Sequence, residues 1–374
     1  MNSLYIHIPF CQSRCIYCDF YSTTLGQEYM TAYVAALKHE LVQRTEEYIK
    51  GTRVHSIYIG GGTPSLLPTD RLKELFAAID SVLTFDENTE VTIEANPDDV
   101  TEEWLRELGG TPINRISMGA QTFNDRLLSF LGRRHNSQQT VDAVKACKEA
   151  GLTNISLDLI YGMPGQIFDI WQDDVTQALN LGITHLSAYA LSYEEGTRLS
   201  KMLQAGLVKE TDEELSRKMY DYLMSATKEA GFLHYEISNF AIPGYHSRHN
   251  SSYWQSSPYL GLGAGAHSYD GERTRRANLP DIKAYIAATE DVPHETEVLS
   301  DTDLYNEFIM TRLRTSSGIP LKELSEKDCQ YCLTLAKPHL SRGLLCIKNE
   351  HICLTPKGIF TSNDIISDLM KIDE

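Results

Sequence analysis

Between residues 4 and about 191, short runs rich in β-branched residues alternate with longer amphipathic stretches, which predicts repeated βα units around a parallel sheet. Residues 4–9, 54–59, 90–95, 115–118, 154–160 and 185–190 read as strands, and 27–48, 71–83, 138–150 and 168–181 as helices between them. Gly151 closes the third of these helices as a C-terminal cap. The repeat ends well short of the roughly 250 residues that a closed eightfold barrel takes. The expected fold class is therefore α/β, an incomplete (βα)6 barrel.

After residue 191 the pattern changes. Thr211, Asp212, Glu213 and Glu214 read as a capping box opening a helix that runs to about residue 230. A strand follows over 233–237, then an aromatic, glycine-rich region over 246–269. From about residue 301 a separate unit is expected: helix 303–314, a segment at 321–326, helix 329–340, strands 344–348 and 352–354 around Asn349 and Glu350, and helix 356–370. This order resembles a small winged-helix-like domain. The organisation expected is a partial barrel over 1–235, a connecting region over 236–300 and a C-terminal domain over 301–374.

Composition narrows the partners. The 374 residues carry a formal net charge of -17, which opposes non-specific binding to phosphate backbones or anionic lipid. Nucleic acid is not an expected partner, and the C-terminal unit reads as a docking or lid module, since it lacks the basic face of a DNA-binding winged helix. The sequence shows neither a secretory leader nor an apolar run of bilayer length. Its eight cysteines form no paired framework, so a reducing, cytoplasmic location is expected.

The chemistry concentrates at Cys11, Cys15 and Cys18, three thiols in one short loop after the first strand. Thiolate is the ligand of iron–sulfur clusters, and three ligands on a [4Fe-4S] cube leave one iron open to another molecule. Zinc competes, although it ordinarily takes four protein ligands or a nearby histidine, and the nearest, His7, falls on the predicted strand. Ordinary buried thiols are the third reading. Cys329, Cys332, Cys346 and Cys353 also admit zinc, but their spacing is irregular and small buried side chains explain them as well.

In βα folds ligands bind at the carboxyl ends of the strands. Those ends bring together the cysteine loop, Gly60-Gly61-Gly62-Thr63, Glu94, Gln121, Asp158 and Tyr189. The triglycine allows backbone to approach a ligand and present N–H groups. By contrast, Gly261-Leu262-Gly263-Ala264-Gly265 lacks the βαβ frame of a dinucleotide loop.

The C-x3-C-x2-C motif, with Tyr17 before its third cysteine, resembles the radical S-adenosylmethionine (SAM) superfamily. Tyr5-Ile6-His7-Ile8-Pro9-Phe10 before it and Asp19-Phe20 after it are similar to the branch that contains oxygen-independent coproporphyrinogen III oxidase and the HemW-type haem chaperones. The resemblance implies a [4Fe-4S] cluster whose open iron chelates SAM, which the reduced cluster cleaves to a 5'-deoxyadenosyl radical. It also implies SAM contacts at Tyr5, Gly61, Gly62, Thr63, Glu94, Gln121, Arg133 and Asp158, with Glu94 toward the amino group, and a main-chain contact at His267. An electron donor would serve the cluster.

Two departures separate the functions within that branch. The oxidase has a further cysteine where this chain has Phe20, and a longer segment ahead of the cluster. His249-Asn250-Ser251-Ser252-Tyr253-Trp254 matches the H-N-x-x-Y-W pattern of the chaperones, and imidazole can ligate haem iron. From the residues alone, a loop-stabilising role for His249 and Asn250, with the aromatics filling core, is the favoured reading, and the family pattern is what brings His249 forward as a haem contact. The reading reached is a haem chaperone that holds haem with His249 and hands it to acceptor haemoproteins, membrane-associated ones included. The alternatives are coproporphyrinogen oxidation and radical SAM chemistry on another substrate.

Overall fold

The computed structural model describes residues 2–48 and 53–372. Six parallel strands follow one another in sequence order across the sheet: β1 (Asn2–Ile8), β2 (Val54–Gly61), β3 (Glu90–Ala95), β4 (Arg115–Gln121), β5 (Ile155–Tyr161) and β6 (His185–Ala190). Each crossover carries helix, as parallel pairing requires. The repeat is the expected incomplete barrel, an α/β fold.

Period-two alternation explains why the barrel interior is polar. Leu4, Ile6, Ile8, Ile57, Ile59, Val91, Ile93, Ile116, Met118, Leu157, Leu159 and Leu186 are buried in one core with the surrounding helices. The intervening positions, among them Tyr5, Tyr58, Glu94, Arg115, Ser117, Asp158 and Ser187, fall on the opposite face. A sheet wrapped this way leaves a polar trough.

Beyond β6 the sheet continues. The strands β7 (Leu233–Glu236) and β8 (Asn239–Ala241) extend it antiparallel on the β6 side. On the β1 side lie β9 (Tyr259–Leu262), parallel to β1, then β10 (His267–Tyr269), β11 (Thr274–Asn278) and β12 (His294–Val298). The glycine-rich region thus supplies sheet. At Gly261 a Cβ would stand 1.9 Å from the His267 carbonyl oxygen, so only glycine lets the two backbones cross there. A buried carboxylate, Glu40, accepts from Gly263 N–H (2.9 Å), Asn278 Nδ2 (2.7 Å) and Tyr285 Oη (2.6 Å), tying helix Gln27–Tyr48 to this region.

The short helix Arg248–Trp254 occupies the amino-terminal end of the trough. The Arg248 and His249 N–H groups both donate to the Glu90 carboxylate at 3.1 Å. Ser56 Oγ donates to Ser3 Oγ (2.9 Å), which donates to Ser252 Oγ (3.1 Å), which donates to the His249 carbonyl (2.7 Å). The H-N-x-x-Y-W segment plugs the floor.

The C-terminal residues build a second core around Tyr305, Ile309, Leu313, Cys332, Ile352 and Ile366. Helices Asp301–Leu313 and Glu326–Ser341 precede a hairpin of β14 (Leu345–Lys348) and β15 (His351–Leu354), with β13 (Ile319–Pro320) on its edge. Asn349 and Glu350 both have positive φ, as a two-residue hairpin turn demands. The helix expected over 356–370 is broken into Pro356–Ile359 and Ser362–Leu369. Cys332 is a core residue, and Cys346 and Cys353 are cross-strand partners.

The expected capping box at 211–214 is also corrected. Asp212 is the cap, accepting from the Glu214 and Leu215 N–H groups, while the Thr211 hydroxyl donates to the Gly162 carbonyl at 2.8 Å. No helix among the described residues is long and apolar enough to cross a membrane.

Candidate functional site

A cavity of about 410 Å³ opens at the carboxyl ends of β1 to β6. Cys11, Cys15, Cys18, Tyr17, Gly61, Gly62, Thr63, Glu94, Gln121, Arg133 and Asp158 all line it. Tyr5, His249 and His267 do not.

The cysteine loop is held by backbone bonds on several sides: Cys11 N–H to the Thr23 carbonyl (2.8 Å), Ile16 N–H to the Leu131 carbonyl (3.1 Å) and Leu199 N–H to the Ile16 carbonyl (2.8 Å). All three thiols are free. Thr63 Oγ1 lies 3.5 Å from Cys11 Sγ, and Arg133 Nη1 lies 3.5 Å from Cys15 Sγ. Burial raises the Cys11 thiol above its ordinary pKa and pushes Cys18 up to about 11, with the neighbouring thiols adding to the shift. Bare thiolates are therefore disfavoured here, and a bound metal centre supplies the charge that stabilises them. Among the described residues no three His, Cys, Asp or Glu side chains are gathered tightly enough to share one metal ion. A cluster brings its own iron and sulfide frame, and thiols distributed along a cavity wall fit that donor set.

The triglycine works differently from the expectation. Its N–H groups are engaged within the protein: Gly61 donates to Glu94 Oε2 (3.0 Å), Gly62 to the Ile8 carbonyl (2.8 Å) and Thr63 to the Phe10 carbonyl (2.8 Å). What glycine supplies is proximity, since a Cβ on Gly62 would stand 2.7 Å from the Phe10 oxygen. The segment buttresses the cysteine loop from below.

Glu94 also accepts from Tyr58 Oη at 2.7 Å. Burial raises its pKa to about 7 against the pull of that bond, so the carboxyl is only partly ionised at neutral pH. A cationic amino group entering the cavity would draw it to the ionised state. Asp158 is raised by burial too, opposed by the hydroxyls of Ser187 and Ser117 and by the Arg115 charge. Gln121 carries φ of 64° at the end of β4, a strained backbone of the kind found where a side chain is held for binding. Arg133 donates to the Gly119 carbonyl (2.8 Å) and to Asn96 Oδ1.

Arg115 escaped the sequence reading. It is 2% exposed, lines the cavity, and its charge acts on both Glu94 and Asp158. The signal available was a charged residue on a strand otherwise buried on both sides.

His249 is corrected most sharply. It is 1% exposed, and both ring nitrogens are engaged, Nδ1 with Ser56 Oγ (3.0 Å) and Nε2 with Tyr253 Oη (2.9 Å). Ser56 already donates to Ser3, so Nδ1–H is the donor and the Nε2 lone pair accepts from Tyr253. No lone pair is left for iron. Burial lowers its pKa to about 3, below the roughly 6.5 of an unfolded histidine. A depressed imidazole contributes stability that is complete above pH about 6.5 and is lost as pH falls toward about 3. His249→Gln is expected to cost stability at pH 8 yet to lose less on acidification, by about 1.4 kcal/mol per pH unit within that window. Urea unfolding of both proteins from pH 8 to 4 measures it, and parallel curves would refute the buried neutral imidazole.

An open (βα)6 barrel with three thiols in the loop after its first strand, and glycine, carboxylate and guanidinium groups around the same mouth, defines a radical SAM protein. The superfamily profile matches residues 5–177, and the HemN C-terminal domain profile matches 299–361. The chain is 35% identical to the heme chaperone HemW of Lactococcus lactis, over 100% of this chain and 98% of that protein, and 35% identical to the heme chaperone HemW of Bacillus subtilis, over 98% of each. The crystallographic fold of coproporphyrinogen III oxidase (HemN) from Escherichia coli superimposes with a TM-score of 0.83 at 21% identity, covering 99% of this chain and 90% of that one. The chain belongs to the HemW family of heme chaperones, a branch of the radical SAM superfamily. Membership carries with it the [4Fe-4S] cluster and SAM.

Proposed function

We propose that this protein binds haem and delivers it to acceptor haemoproteins, using the cluster and SAM site as a resident part of the molecule. The observation that carries this reading is end-to-end similarity to chaperones: the 35% identity is measured over nearly the full length of both chains, so the match takes in barrel, floor plug and C-terminal unit. A second observation argues against the oxidase. At the position where the oxidase branch has its extra cysteine stands Phe20, 65% exposed at the cavity rim.

Cys11, Cys15 and Cys18 would hold the cluster, with Arg133 beside Cys15. The cluster supplies one-electron chemistry to a bound SAM when reduced. Glu94, held by Tyr58 and Gly61, orients a cationic group. Asp158, between the Ser117 and Ser187 hydroxyls, presents an acceptor on the facing wall. Ile160, Tyr189 and Leu191 complete that wall. The reading includes a cytoplasmic setting, an electron donor and acceptors at the membrane surface among the partners.

The test is anaerobic reconstitution followed by parallel assays. Hemin uptake by absorbance, transfer to an apo-haemoprotein and no decarboxylation of coproporphyrinogen are expected. Turnover of coproporphyrinogen with SAM and a reductant, without hemin uptake, would overturn the reading.

A further inference from the structure

A second cleft, of about 280 Å³, adjoins the SAM cavity and shares Phe20 with it. Its other walls are Tyr5, His7, Tyr21, Tyr253, Tyr259, Gly265 and His267. The cleft lies over β1, β9 and β10, on the side of the cysteine loop away from Glu94 and Asp158. Tyr5 and His267, two of the SAM contacts that the resemblance implies, stand on its wall, while Gly61, Gly62, Thr63, Glu94, Gln121, Arg133 and Asp158 line the larger cavity.

Its chemistry is that of a flat, conjugated ligand with a metal at its centre. Five aromatic side chains offer planar faces with polar edges. Tyr253 and Tyr259 meet edge to face at 4.8 Å, and the Gly265 backbone lies so close to the Tyr21 ring that a Cβ would touch it at 3.3 Å. Such a slot admits a sheet-like molecule edgewise.

Two histidines line the slot, and hydrogen bonding separates them. His7 Nε2 lies 2.9 Å from the Tyr21 carbonyl, which can only accept, so Nε2 carries the proton. Its Nδ1 lone pair then accepts from Tyr5 Oη at 2.9 Å. His7 has nothing left for a metal. His267, at the start of β10, is exposed, and among the described residues no hydrogen bond engages its ring. The tyrosines divide in the same way: Tyr5 donates to His7, Tyr21 Oη accepts from Ile282 N–H at 2.8 Å, and Tyr253 is paired with His249.

We infer that this cleft is the haem seat, with His267 as the axial ligand to iron and Phe20, Tyr21 and Tyr259 against the porphyrin. The inference rests on the haem reading above and moves its ligand from the floor plug to the rim. A slot of about 280 Å³ covers part of a porphyrin and leaves the rest outside, which suits a carrier that must release its cargo. Haem held there lies next to the cluster loop through Phe20. The oxidase branch has cysteine at that position, where this chain has an aromatic ring.

Hemin titration of the reconstituted full-length protein tests the placement. His267→Ala is expected to weaken binding at least tenfold and shift the Soret band, and His267→Cys to move the band to the position of thiolate-ligated haem. Phe20→Ser is expected to weaken binding without changing the ligand spectrum. His249→Gln is expected to keep both the affinity and the band. Cluster absorbance and SAM binding, read on every variant, report intact folding. Wild-type affinity and band in His267→Ala, or loss of ligation in Tyr259→Phe in its place, would overturn the assignment while the haem reading stands. A wild-type chain that takes up no hemin overturns both.

Discussion

Alanine at any one of Cys11, Cys15 or Cys18 is expected to reduce iron and acid-labile sulfide to background after anaerobic reconstitution. Three thiols are the whole protein donor set available in the loop, and a cube held by two corners exchanges with solvent and is lost. The fold should survive, because the loop's anchors are backbone bonds to Thr23, Leu131 and Leu199 that no cysteine side chain takes part in. The expected signature is therefore an unchanged far-ultraviolet spectrum with no visible cluster absorbance. Normal cluster content in any one of the three variants would remove that residue from the ligand set.

Gly62→Val should produce the second largest effect, through a residue that donates no side-chain atom. A Cβ at this position falls 2.7 Å from the Phe10 oxygen and 2.8 Å from the Pro9 carbonyl carbon, both backbone atoms that cannot rotate away. Either β2 moves outward or the cysteine loop lifts. Overpacking of this kind costs about 1–3 kcal/mol or more, and lifting the loop also separates Cys11 from its Thr63 partner. Both the urea midpoint and the reconstituted iron content should fall. Gly109→Ala, where the nearest atom would be 3.3 Å away, is the matched control. Wild-type stability and iron content in Gly62→Val would show that close approach is not what the triglycine provides.

The strands of the barrel were legible because β-branched runs between turn residues leave little choice of period. Strands β3 and β6 coincide with the expected bounds, as does the helix Gln27–Tyr48. Short elements were missed: the helices Glu102–Leu108, Asp125–Leu131 and Arg198–Gln204 span too few turns to display an amphipathic repeat. β9 was hidden by Gly261, where backbone crossing requires a glycine, whereas β11 and β12 are largely polar and β10 spans three residues, so none of them shows an apolar alternation. At the site, residues delivered by strand ends could be located because topology sends them to one mouth. Arg115 was not, since it lies at the start of β4 and reaches the cavity along the inner face. His249 was read correctly as a residue in a special segment and placed wrongly. Composition alone cannot say whether an imidazole faces a ligand or a ring of serines.

The position of β1 has a bearing on how the chain is made. Its one edge pairs with β2, but the other waits for β9, at Tyr259–Leu262, which leaves the ribosome roughly 250 residues later, on the order of ten to fifty seconds at ordinary elongation rates. Until then a strand of Leu4, Ile6 and Ile8 presents an unpaired edge of the kind that recruits other chains. Glu40 cannot gather Gly263, Asn278 and Tyr285 until that segment has emerged as well. Premature termination before residue 259 is therefore expected to yield insoluble product regardless of iron supply, because the β1 edge is then never covered.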